Sequence, residues 1–455
     1  SAAESGAGTR PPGDWRGRRL HFTAIGGASM SGLAVIAARL GAQVTGSDRS
    51  ESAYLREVRT AGIPFTVGEH RAENVPAGAQ VVYSSAIPTD NPERVAARAP
   101  GGAGELHRAE LLAEMAALKR LLAVTGTHGK TTTTSMVVHI LRACGADPAY
   151  MIGGELRSSG HNAEWGEGDW MVIEADESDR SLLRFTPEVA VLTNAELDHH
   201  ATYSSRLDLE ATLAEFCARA DAAVVWADPE LERLAAGAGR TLAYDAHEPT
   251  LAPDGASFVW AGRRVQLAVP GLHNAVNAAG ALTAAALTGV DPDAAVAALA
   301  SFAGARRRME RLGVSAGGAW IYDDYAHHPT EVAAAIAGAR TLEPRRLIAV
   351  FQPHLFSRTR ALAAGFGAAL AGADVVAVAD VYPARERGED FPGVDGHLVA
   401  AAAADASAGR PVAWFRGLDD LRRWLEATLA DGDLCLLMGA GDIDSVGRAL
   451  VGAGH

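Results

Sequence analysis

The sequence predicts an α/β protein that folds into three consecutive units. Its 455 residues exceed what one hydrophobic core usually supports, and hydrophobic residues make up 48% of the chain, enough to fill several cores. Apolar runs of strand length alternate with Gly-rich turns and helix-like stretches, a pattern typical of parallel sheets covered by helices. We expect the units at residues 1–119, 120–312 and 313–455, with a loose tail over 1–19 and hinges near Lys119 and Gly313.

Composition limits the partners and the compartment. The formal net charge of −14 argues against nucleic acid or an anionic membrane as the main partner. The three cysteines, Cys144, Cys217 and Cys435, are far apart and lack metal-site spacing. No uninterrupted apolar stretch reaches membrane-spanning length, and the N-terminal tail lacks the apolar core of a signal peptide. We therefore expect a cytoplasmic protein whose partners are small molecules. Composition does not determine the oligomeric state, for which a monomer or weak dimer is the expectation.

The clearest motif is a phosphate-binding loop between a strand and a helix. The apolar run Leu121–Thr125 ends in Gly126, Gly129, Lys130 and Thr131, and a helical pattern follows. Such a loop turns backbone N–H groups toward an anion, while the lysine reaches the outer phosphates and the hydroxyl suits Mg²⁺. Val124 stands where the longer form of the motif has its first glycine. We expect an ATP site; a glycine-rich connection without a ligand is the less favoured alternative.

A second nucleotide-binding turn is expected near the N-terminus. The strand-like run 20–25 opens into a Gly- and Ser-rich loop over 26–32, before a helical stretch over 33–40. A further strand over 43–46 ends at Asp48, about where a Rossmann-like fold places an acid for a ribose hydroxyl. Measured against G-x-G-x-x-G, the positions hold Ala24, Gly26 and Ser29, so a purely structural turn stays open. The strand over 81–83 leads to Ser84 and Ser85, an expected second wall.

Two acidic clusters follow the phosphate loop. The apolar run 170–173 delivers the cluster 174–179, and the run 189–192 leads to Glu196, Asp198, His199 and His200. Parallel sheets gather ligands at the carboxyl ends of their strands, so both clusters should meet the phosphate loop at one edge. A metal-phosphate site is the favoured interpretation, and two solvated acidic loops are the alternative.

Two polar features lie in the last part of the second unit, before the expected boundary at residue 312. Asn274 and Asn277 are three residues apart and share one helical face, where they could read an adenine edge or, for Asn274 in particular, cap the helix. The basic run Arg306, Arg307 and Arg308 follows. Such a run is more often a solvated face, but its position makes one arginine a candidate phosphate clamp.

The third unit again alternates strands and helices, which predicts a second Rossmann-like sheet. Strand-like runs over 320–322, 347–351, 375–378 and 434–438 carry polar loops at their ends. The loop 323–331 contains the adjacent pair His327 and His328, and the loop 352–360 contains Arg358 and Arg360. We expect the histidines in a site. An arginine at a strand end also suits a bidentate carboxylate.

Together these segments resemble the Mur ligases. The most specific parts are Gly126–Thr134, Glu174–Asp179, Asp324–Glu331 and Phe351–His354. The resemblance implies an N-terminal domain for a UDP sugar, a central ATPase and a C-terminal domain for an incoming amino acid. It further implies an ATP-dependent ligase that joins L-alanine to the lactyl carboxylate of UDP-N-acetylmuramate through an acyl phosphate, in peptidoglycan precursor synthesis for the cell wall. The N-terminal loop departs from the family pattern, since Ala24 and Ser29 replace two glycines.

The expected site residues fall into five groups. Catalysis is assigned to Lys130, Glu174, His199, Arg308, Asp324, His327 and His328. ATP binding is assigned to Gly126, Thr127, His128, Gly129, Lys130, Thr131, Thr132, His273, Asn274, Asn277, Arg308 and Asp324. UDP-sugar binding is assigned to Gly26, Gly27, Ser29, Met30, Ser31, Asp48, Ser84, Ser85 and His128. Amino-acid binding is assigned to Tyr325, His328, His354, Arg358 and Arg360, and Mg²⁺ to Thr131, Glu174 and His199.

The lysine count adds a restriction to the metal site. Several Mur ligases use a carbamylated lysine as a metal-bridging carboxylate, but this chain has only Lys119 and Lys130. Lys130 is committed to phosphate and Lys119 precedes the ATPase strand, so we expect oxygen and imidazole ligands alone.

Three other functions remain open at this stage. A recycling ligase that attaches a whole tripeptide to the same UDP sugar would need a wider C-terminal pocket than the segment 351–358 suggests. A P-loop regulatory ATPase would use the third unit only for partner binding. A nicotinamide dehydrogenase built on the first turn would leave Lys130, Glu174 and His199 without a role.

Overall fold

The computed structural model describes residues 15–154, 156, 159–196, 202–203, 205–252, 255–302, 304, 306–384 and 386–452. Within these ranges the strands form four sheets and alternate with helices along the chain, which confirms the predicted α/β fold class. None of the helices in these ranges is long and apolar enough to cross a membrane.

The first unit holds a parallel five-stranded sheet. Its strands are β1 Arg19–Thr23, β2 Gln43–Asp48, β3 Phe65–Val67, β4 Gln80–Tyr83 and β5 Glu105–His107, in the order β3-β2-β1-β4-β5. Its helices are α1 Ala28–Arg39, α2 Leu55–Thr60, α3 Pro92–Arg98 and α4 Arg108–Ala116. The order reverses between β1 and β4, and ligands of such sheets bind at that switch point, beyond the strand carboxyl ends.

The helix α1 begins earlier than the sequence predicts. It starts at Ala28, directly after the extended residue Gly27, whereas the sequence places a loop through Gly32. Gly32, which the sequence assigns to the loop, packs against another segment instead: a Cβ there would lie 2.6 Å from the Cβ of Ala163. Gly32 therefore serves a close helix contact and not the turn.

The second unit is built on a seven-stranded sheet. Its strands are β6 Arg120–Thr125, β7 Ala149–Met151, β8 Ala163–Glu164, β9 Trp170–Glu174, β10 Val189–Leu192, β11 Ala222–Trp226 and β12 Thr241–Tyr244. The order is β12-β11-β10-β6-β9-β7-β8, parallel except for the β7–β8 pair. The helices of this sheet are α5 Lys130–Ala143, α6 Arg206–Cys217 and α7 Pro229–Ala235. The strand β6, between β9 and β10, carries the phosphate loop into the centre of the sheet edge.

A small antiparallel sheet and two helices complete this unit. The strands are β13 His247–Ala252, β14 Gly255–Trp260 and β15 Arg263–Leu267, followed by α8 Leu272–Ala286 and α9 Pro292–Leu299. Residues of α5, α8 and α9 share one buried apolar cluster. The segment that carries Asn277 is thereby fixed beside the phosphate-loop helix.

The third unit is a six-stranded sheet with helices on both faces. Its strands are β16 Glu310–Val314, β17 Trp320–Asp324, β18 Arg346–Phe351, β19 Val375–Ala379, β20 Val412–Phe415 and β21 Asp433–Met438, in the order β16-β17-β21-β18-β19-β20. Its helices are α10 Pro329–Arg340, α11 Phe356–Leu370, α12 Gly396–Ala406, α13 Leu418–Thr428 and α14 Asp444–Gly452. The antiparallel strand β16 crosses the expected limit at residue 312 and pairs with β17, so it belongs to this sheet.

Candidate active site

The phosphate loop has the backbone that its glycines require. Gly126 and Gly129 both adopt left-handed φ values, of 126° and 80°. An added Cβ at Gly126 would lie 2.3 Å from Thr193 Oγ1, and at Gly129 it would lie 2.6 Å from Asn277 Oδ1. Only glycine fits both positions. The loop then enters α5, whose N-terminal N–H groups and dipole favour an anion.

Lys130 lies in this loop as a buried cation. Its Nζ donates to Gly126 O at 2.7 Å and to Thr127 O at 3.1 Å, and lies 3.0 Å from Glu177 Oε2. Burial lowers the pKa of Lys130, but Glu177, Glu174 and Asp176 outweigh it and raise the pKa above the ordinary value. The ammonium therefore stays charged, as a phosphate ligand must be.

Thr131 and Glu174 come together as the sequence predicts. Thr131 Oγ1 lies 3.1 and 2.9 Å from the two carboxylate oxygens of Glu174, and Glu174 also accepts from Gly153 N at 2.8 Å. A hydroxyl and a carboxylate are the oxygen donors that Mg²⁺ prefers, so these two residues fit the ion. His199, the third expected ligand, lies outside the described residues.

Lys119 is occupied elsewhere. Its Nζ donates to the carbonyls of Gly166 and Gly168, and it lies 4.9 Å from the centre of the Trp165 ring. These contacts give Lys119 a structural role in the connection before β9.

A cavity of about 600 Å³ connects all three units at the phosphate loop. Ser29 of the first unit, Lys130 and Glu174 of the second, and Arg308 and His327 at the third unit all line it. Groups that could bind a nucleotide, a metal and further substrates therefore share one space.

Arg308 lies in a segment that the third unit holds tightly. The flanking residues Arg307 and Met309 have left-handed φ values of 57° and 48°, a conformation that costs non-glycine residues about 1 kcal/mol or more each. Arg307 compensates through bonds to Asp323 Oδ2 at 3.0 Å, Gly439 O at 2.8 Å and Gly441 O at 3.0 Å. These three bonds of the Arg307 side chain hold the backbone next to Arg308 in place.

Asp324 supports the same segment. Its Oδ2 accepts from Met309 N at 2.7 Å and its Oδ1 from Ala326 N at 2.8 Å. Burial, opposed by Arg308, raises the pKa of Asp324 to about 6. We expected Asp324 in catalysis and in ATP binding; these two backbone bonds give it a positioning role for its neighbours.

His128, within the phosphate loop, contacts both neighbouring acids. Its Nε2 lies 3.5 Å from Glu196 Oε2, and its Nδ1 lies 3.3 Å from Glu331 Oε1. Burial lowers the pKa of His128, but the two carboxylates outweigh it and raise the pKa to about 9. The His128 ring also lies 4.5 Å from that of His328, centre to centre. His128 thus joins the second unit to the third.

Of the first-unit residues predicted to bind the UDP sugar, only some lie at the cavity, Ser29 among them. Asp48 Oδ2 accepts from Gly26 N at 2.8 Å, so the acid and the turn do meet. Met30, however, is buried in the apolar core, and Ser31 Oγ donates to Ala28 O at 3.0 Å. Their side chains have structural contacts because α1 already includes them. Ser85 Oγ donates to Asp179 Oδ2 at 2.9 Å, across to the second unit.

The two asparagines of α8 differ in role. Asn274 is buried and its Nδ2 donates to Pro270 O at 2.7 Å, a local bond at the start of the helix that matches the capping alternative. Asn277 instead lies against Gly129. His273 is nearby; burial, with Arg308, lowers its pKa to about 4, so the ring is neutral.

The two arginines predicted to bind the amino acid differ in burial. Arg358 is buried, and its Nη1 lies 3.4 Å from His354 Nδ1. Arg360 is exposed and lies over the Phe391 ring at 5.2 Å. The two diverge because both are in α11, where residues two apart point to opposite sides. The expectation that Arg360 joins Arg358 therefore does not match the structure.

Several residues contribute to the site without having been predicted. Glu177 pairs with Lys130, Glu196 and Glu331 contact His128, and Arg108 lies 3.4 Å from Asp176 and lines the cavity. The sequence offered a signal for three of them, since Glu177 and Glu331 lie within the quoted motifs and Glu196 begins the second acidic cluster. Arg108, at the start of α4, had no such signal.

Fold and site define a nucleotide-binding α/β protein with a phosphate loop at the junction of three units. Family sequence profiles match each part: "Mur ligase family, catalytic domain" over residues 19–120, "Mur ligase middle domain" over 124–285, and "Mur ligase, glutamate ligase domain" over 307–441. The chain belongs to the Mur ligase family.

Individual relatives match over nearly the whole chain. It is 42% identical to the UDP-N-acetylmuramate–L-alanine ligase of Streptomyces coelicolor, over 95% of this chain and 97% of that protein. It is also 42% identical to the enzyme of the same name from Renibacterium salmoninarum, with 96% of each chain covered. The crystal structure of UDP-N-acetylmuramate-alanine ligase from Thermotoga maritima matches with a TM-score of 0.82 and 28% identity, over 96% of this chain and 98% of that one.

Proposed function

We propose that the protein is an ATP-dependent ligase that joins L-alanine to the lactyl carboxylate of UDP-N-acetylmuramate. The observation that carries this function is the shared cavity, in which Ser29, Lys130, Glu174, Arg308 and His327 meet from three units. A carboxylate does not acylate an amine at neutral pH, so nucleotide, acid and amine must be brought together. The names of the relatives at 42% identity supply the particular acid and amine.

The first step activates the acid. The lactyl carboxylate oxygen attacks the γ-phosphorus of ATP in line, the bond to the β-phosphate oxygen breaks, and an acyl phosphate and ADP result. Lys130 and Arg308 stabilise the charge on the transferring group as fixed cations, which requires no reorganisation during the reaction. Thr131 and Glu174 would hold Mg²⁺, which supplies further positive charge at the phosphates.

The second step forms the amide. The alanine nitrogen attacks the acyl carbon, a tetrahedral intermediate forms, and phosphate leaves with the electron pair of the C–O bond. The attacking ammonium must first lose a proton. His327 is the proposed acceptor, because it lines the cavity and Glu331 lies 3.2 Å from its Nδ1. Arg358 is the proposed ligand of the alanine carboxylate, with His354 beside it.

The remaining assignments follow from this function. We assign the UDP sugar to the first unit, ATP to the second, and the amino acid to the third, whose sheet begins with β16 at Glu310. A small-molecule reaction in peptidoglycan precursor synthesis suits the cytoplasm, and we also propose a monomer or weak dimer.

Isotope transfer tests the acyl phosphate. UDP-N-acetylmuramate labelled with ¹⁸O in the lactyl carboxylate should pass one labelled oxygen to inorganic phosphate in each turnover. Mass spectrometry of the phosphate released in the presence of ATP and alanine reads the transfer. Unlabelled phosphate accompanying amide formation would refute the mechanism.

A further inference from the structure

A cluster of metal-binding side chains lies beside the phosphate loop, apart from Thr131 and Glu174. It consists of His128, Glu196 and His328, and one possible ligand atom from each lies within 4.8 Å of the other two. His128 and His328 are 8% and 6% exposed. The first two residues belong to the second unit, and His328 caps the N-terminus of α10 in the third unit, so the cluster spans the junction of the two units.

The distances are close to those of a tetrahedral site. Metal–ligand bonds of about 2.0–2.1 Å place neighbouring tetrahedral ligands about 3.3 Å apart. Here Glu196 Oε2 lies 3.5 Å from His128 Nε2 and 3.9 Å from His328 Nδ1. The ligand atoms of His128 and His328 lie within 4.8 Å of each other, so side-chain shifts of up to about 1.5 Å would be needed to complete the geometry.

Neighbouring groups already hold the ligands as metal sites require. Metal-bound histidines usually donate their other ring N–H to a carboxylate, and Glu331 lies 3.3 Å from Nδ1 of His128. Glu196 Oε2 accepts from Thr330 Oγ1 at 2.5 Å. The ring nitrogens of His128 are both buried and make no hydrogen bond of good geometry within the described residues. Instead, Nε2 faces the Glu196 carboxylate at 3.5 Å and Nδ1 faces the Glu331 carboxylate at 3.3 Å.

We propose that His128, Glu196 and His328 bind a divalent transition metal of the zinc class. Two imidazole nitrogens and one carboxylate form the ligand set of open zinc sites, with a fourth position for water or substrate. Mg²⁺ would not compete well here, because it prefers oxygen ligands in octahedral geometry. The bound metal would tie the second unit to the third next to the reaction cavity.

A proton is the alternative occupant. The carboxylates of Glu196 and Glu331 could share an imidazolium at His128, and His328 Nδ1 could stay as the acceptor of Thr330 N, a long contact of 3.4 Å. In that case no metal binds. The two arrangements differ in whether the protein binds a transition metal, which can be measured on the whole protein without any substrate.

Co²⁺ is the probe, because four-coordinate Co²⁺ absorbs visible light far more strongly than the six-coordinate ion. Metal-free protein is titrated with Co²⁺ in the presence of excess Mg²⁺, which occupies the oxygen site. The wild type should gain intense visible bands that saturate at one equivalent. Glu196→Gln and His328→Gln should lose the bands while keeping the wild-type circular dichroism spectrum.

Two further variants locate the metal. Glu174→Gln, the matched control, removes a carboxylate from the magnesium position and should leave the bands intact. Thr330→Val should weaken Co²⁺ binding by about 10-fold or more, as losses of supporting hydrogen bonds do. The proposal is overturned if the wild type gains no intense bands, if Glu196→Gln retains them, or if Glu174→Gln abolishes them. None of these results depends on ligase activity.

Discussion

Glu93 should stabilise the first unit more than any surface carboxylate does. It is fully buried and accepts from Thr23 Oγ1 at 2.6 Å, Ser47 Oγ at 2.8 Å and Asn74 Nδ2 at 2.8 Å. Burial raises the pKa of Glu93, but the hydrogen bonds, that with His21 foremost, outweigh it and lower the pKa from 4.5 to about 2. That difference corresponds to roughly 3 kcal/mol of stability at neutral pH.

Glu93→Gln should therefore lower the opening free energy of this unit by about 2–3 kcal/mol at pH 7. A folded-state pKa below the unfolded value gives stability that is complete above pH 4.5 and is lost as the pH falls toward 2. At pH 4 the difference between wild type and variant should already be about 1 kcal/mol smaller.

Hydrogen exchange read by mass spectrometry on peptides covering β1 and β2 measures this opening. Glu73→Gln is the matched control, because Glu73 is exposed on the neighbouring turn. The KM for the UDP sugar should rise more than that for ATP, since Thr23 and Ser47 lie at the strand ends that lead to the turn at Gly26 and to Asp48. Equal hydrogen exchange in Glu93→Gln and wild type, or an exchange difference that does not shrink at pH 4, would show that the Glu93 carboxylate does not stabilise the first unit.

Four other predictions concern the cavity. Replacing Lys130 by Met should lower kcat by about 100-fold or more. Because this change also removes the cation beside buried Glu177, it is combined with Glu177→Gln. Wild-type turnover by the double variant, with an intact circular dichroism spectrum, would exclude a role of Lys130 in ATP binding. Arg358→Ala should raise the alanine KM by about 10-fold or more while Arg360→Ala leaves it unchanged, and equal effects in steady-state assays would argue against the assignment. Removal of bicarbonate at mildly acidic pH should not reduce activity, because neither lysine is available for carbamylation; restoration of lost activity by added bicarbonate would contradict this. Small-angle scattering should detect closure when ATP analogue, UDP sugar and alanine are all bound. The hinge expected near Gly313 would then have to lie before β16, which contains Gly313, and identical curves with and without the ligands would oppose closure.

Much of the fold could be predicted because local patterns determine it. The buried strands β6, β9, β10 and β18 are short apolar runs followed by turns, and their lengths leave little choice of structure. Thr131 and Glu174 could be placed together for the same reason, since both follow parallel strands that end at one edge.

Contacts between units could not be predicted in this way. Nothing in the sequence near Glu196 indicates that Thr330 and His328 will lie against it, because those contacts depend on how the second and third sheets are placed. The left-handed backbone at Arg307 and Met309 is likewise imposed by bonds to distant carbonyls and to Asp324.

Helix phase accounts for the other differences. The sequence does not define where α11 starts. Without that boundary, Arg358 and Arg360 could both be assigned to one pocket. The start of α1 at Ala28 had the same consequence for Met30 and Ser31. In both cases a shift of a few residues in a helix boundary decides which side chains face the ligand.

We propose above that the protein uses free alanine, and not a peptide, as the amine that it joins to the UDP sugar. The most direct measurement is the product mass when UDP-N-acetylmuramate, ATP, Mg²⁺ and equal concentrations of L-alanine and the cell-wall tripeptide are offered together. We expect the alanyl product, with one ADP and one phosphate released for each amide formed. Preferential formation of the tripeptide product, or ATP hydrolysis without any amide, would contradict it.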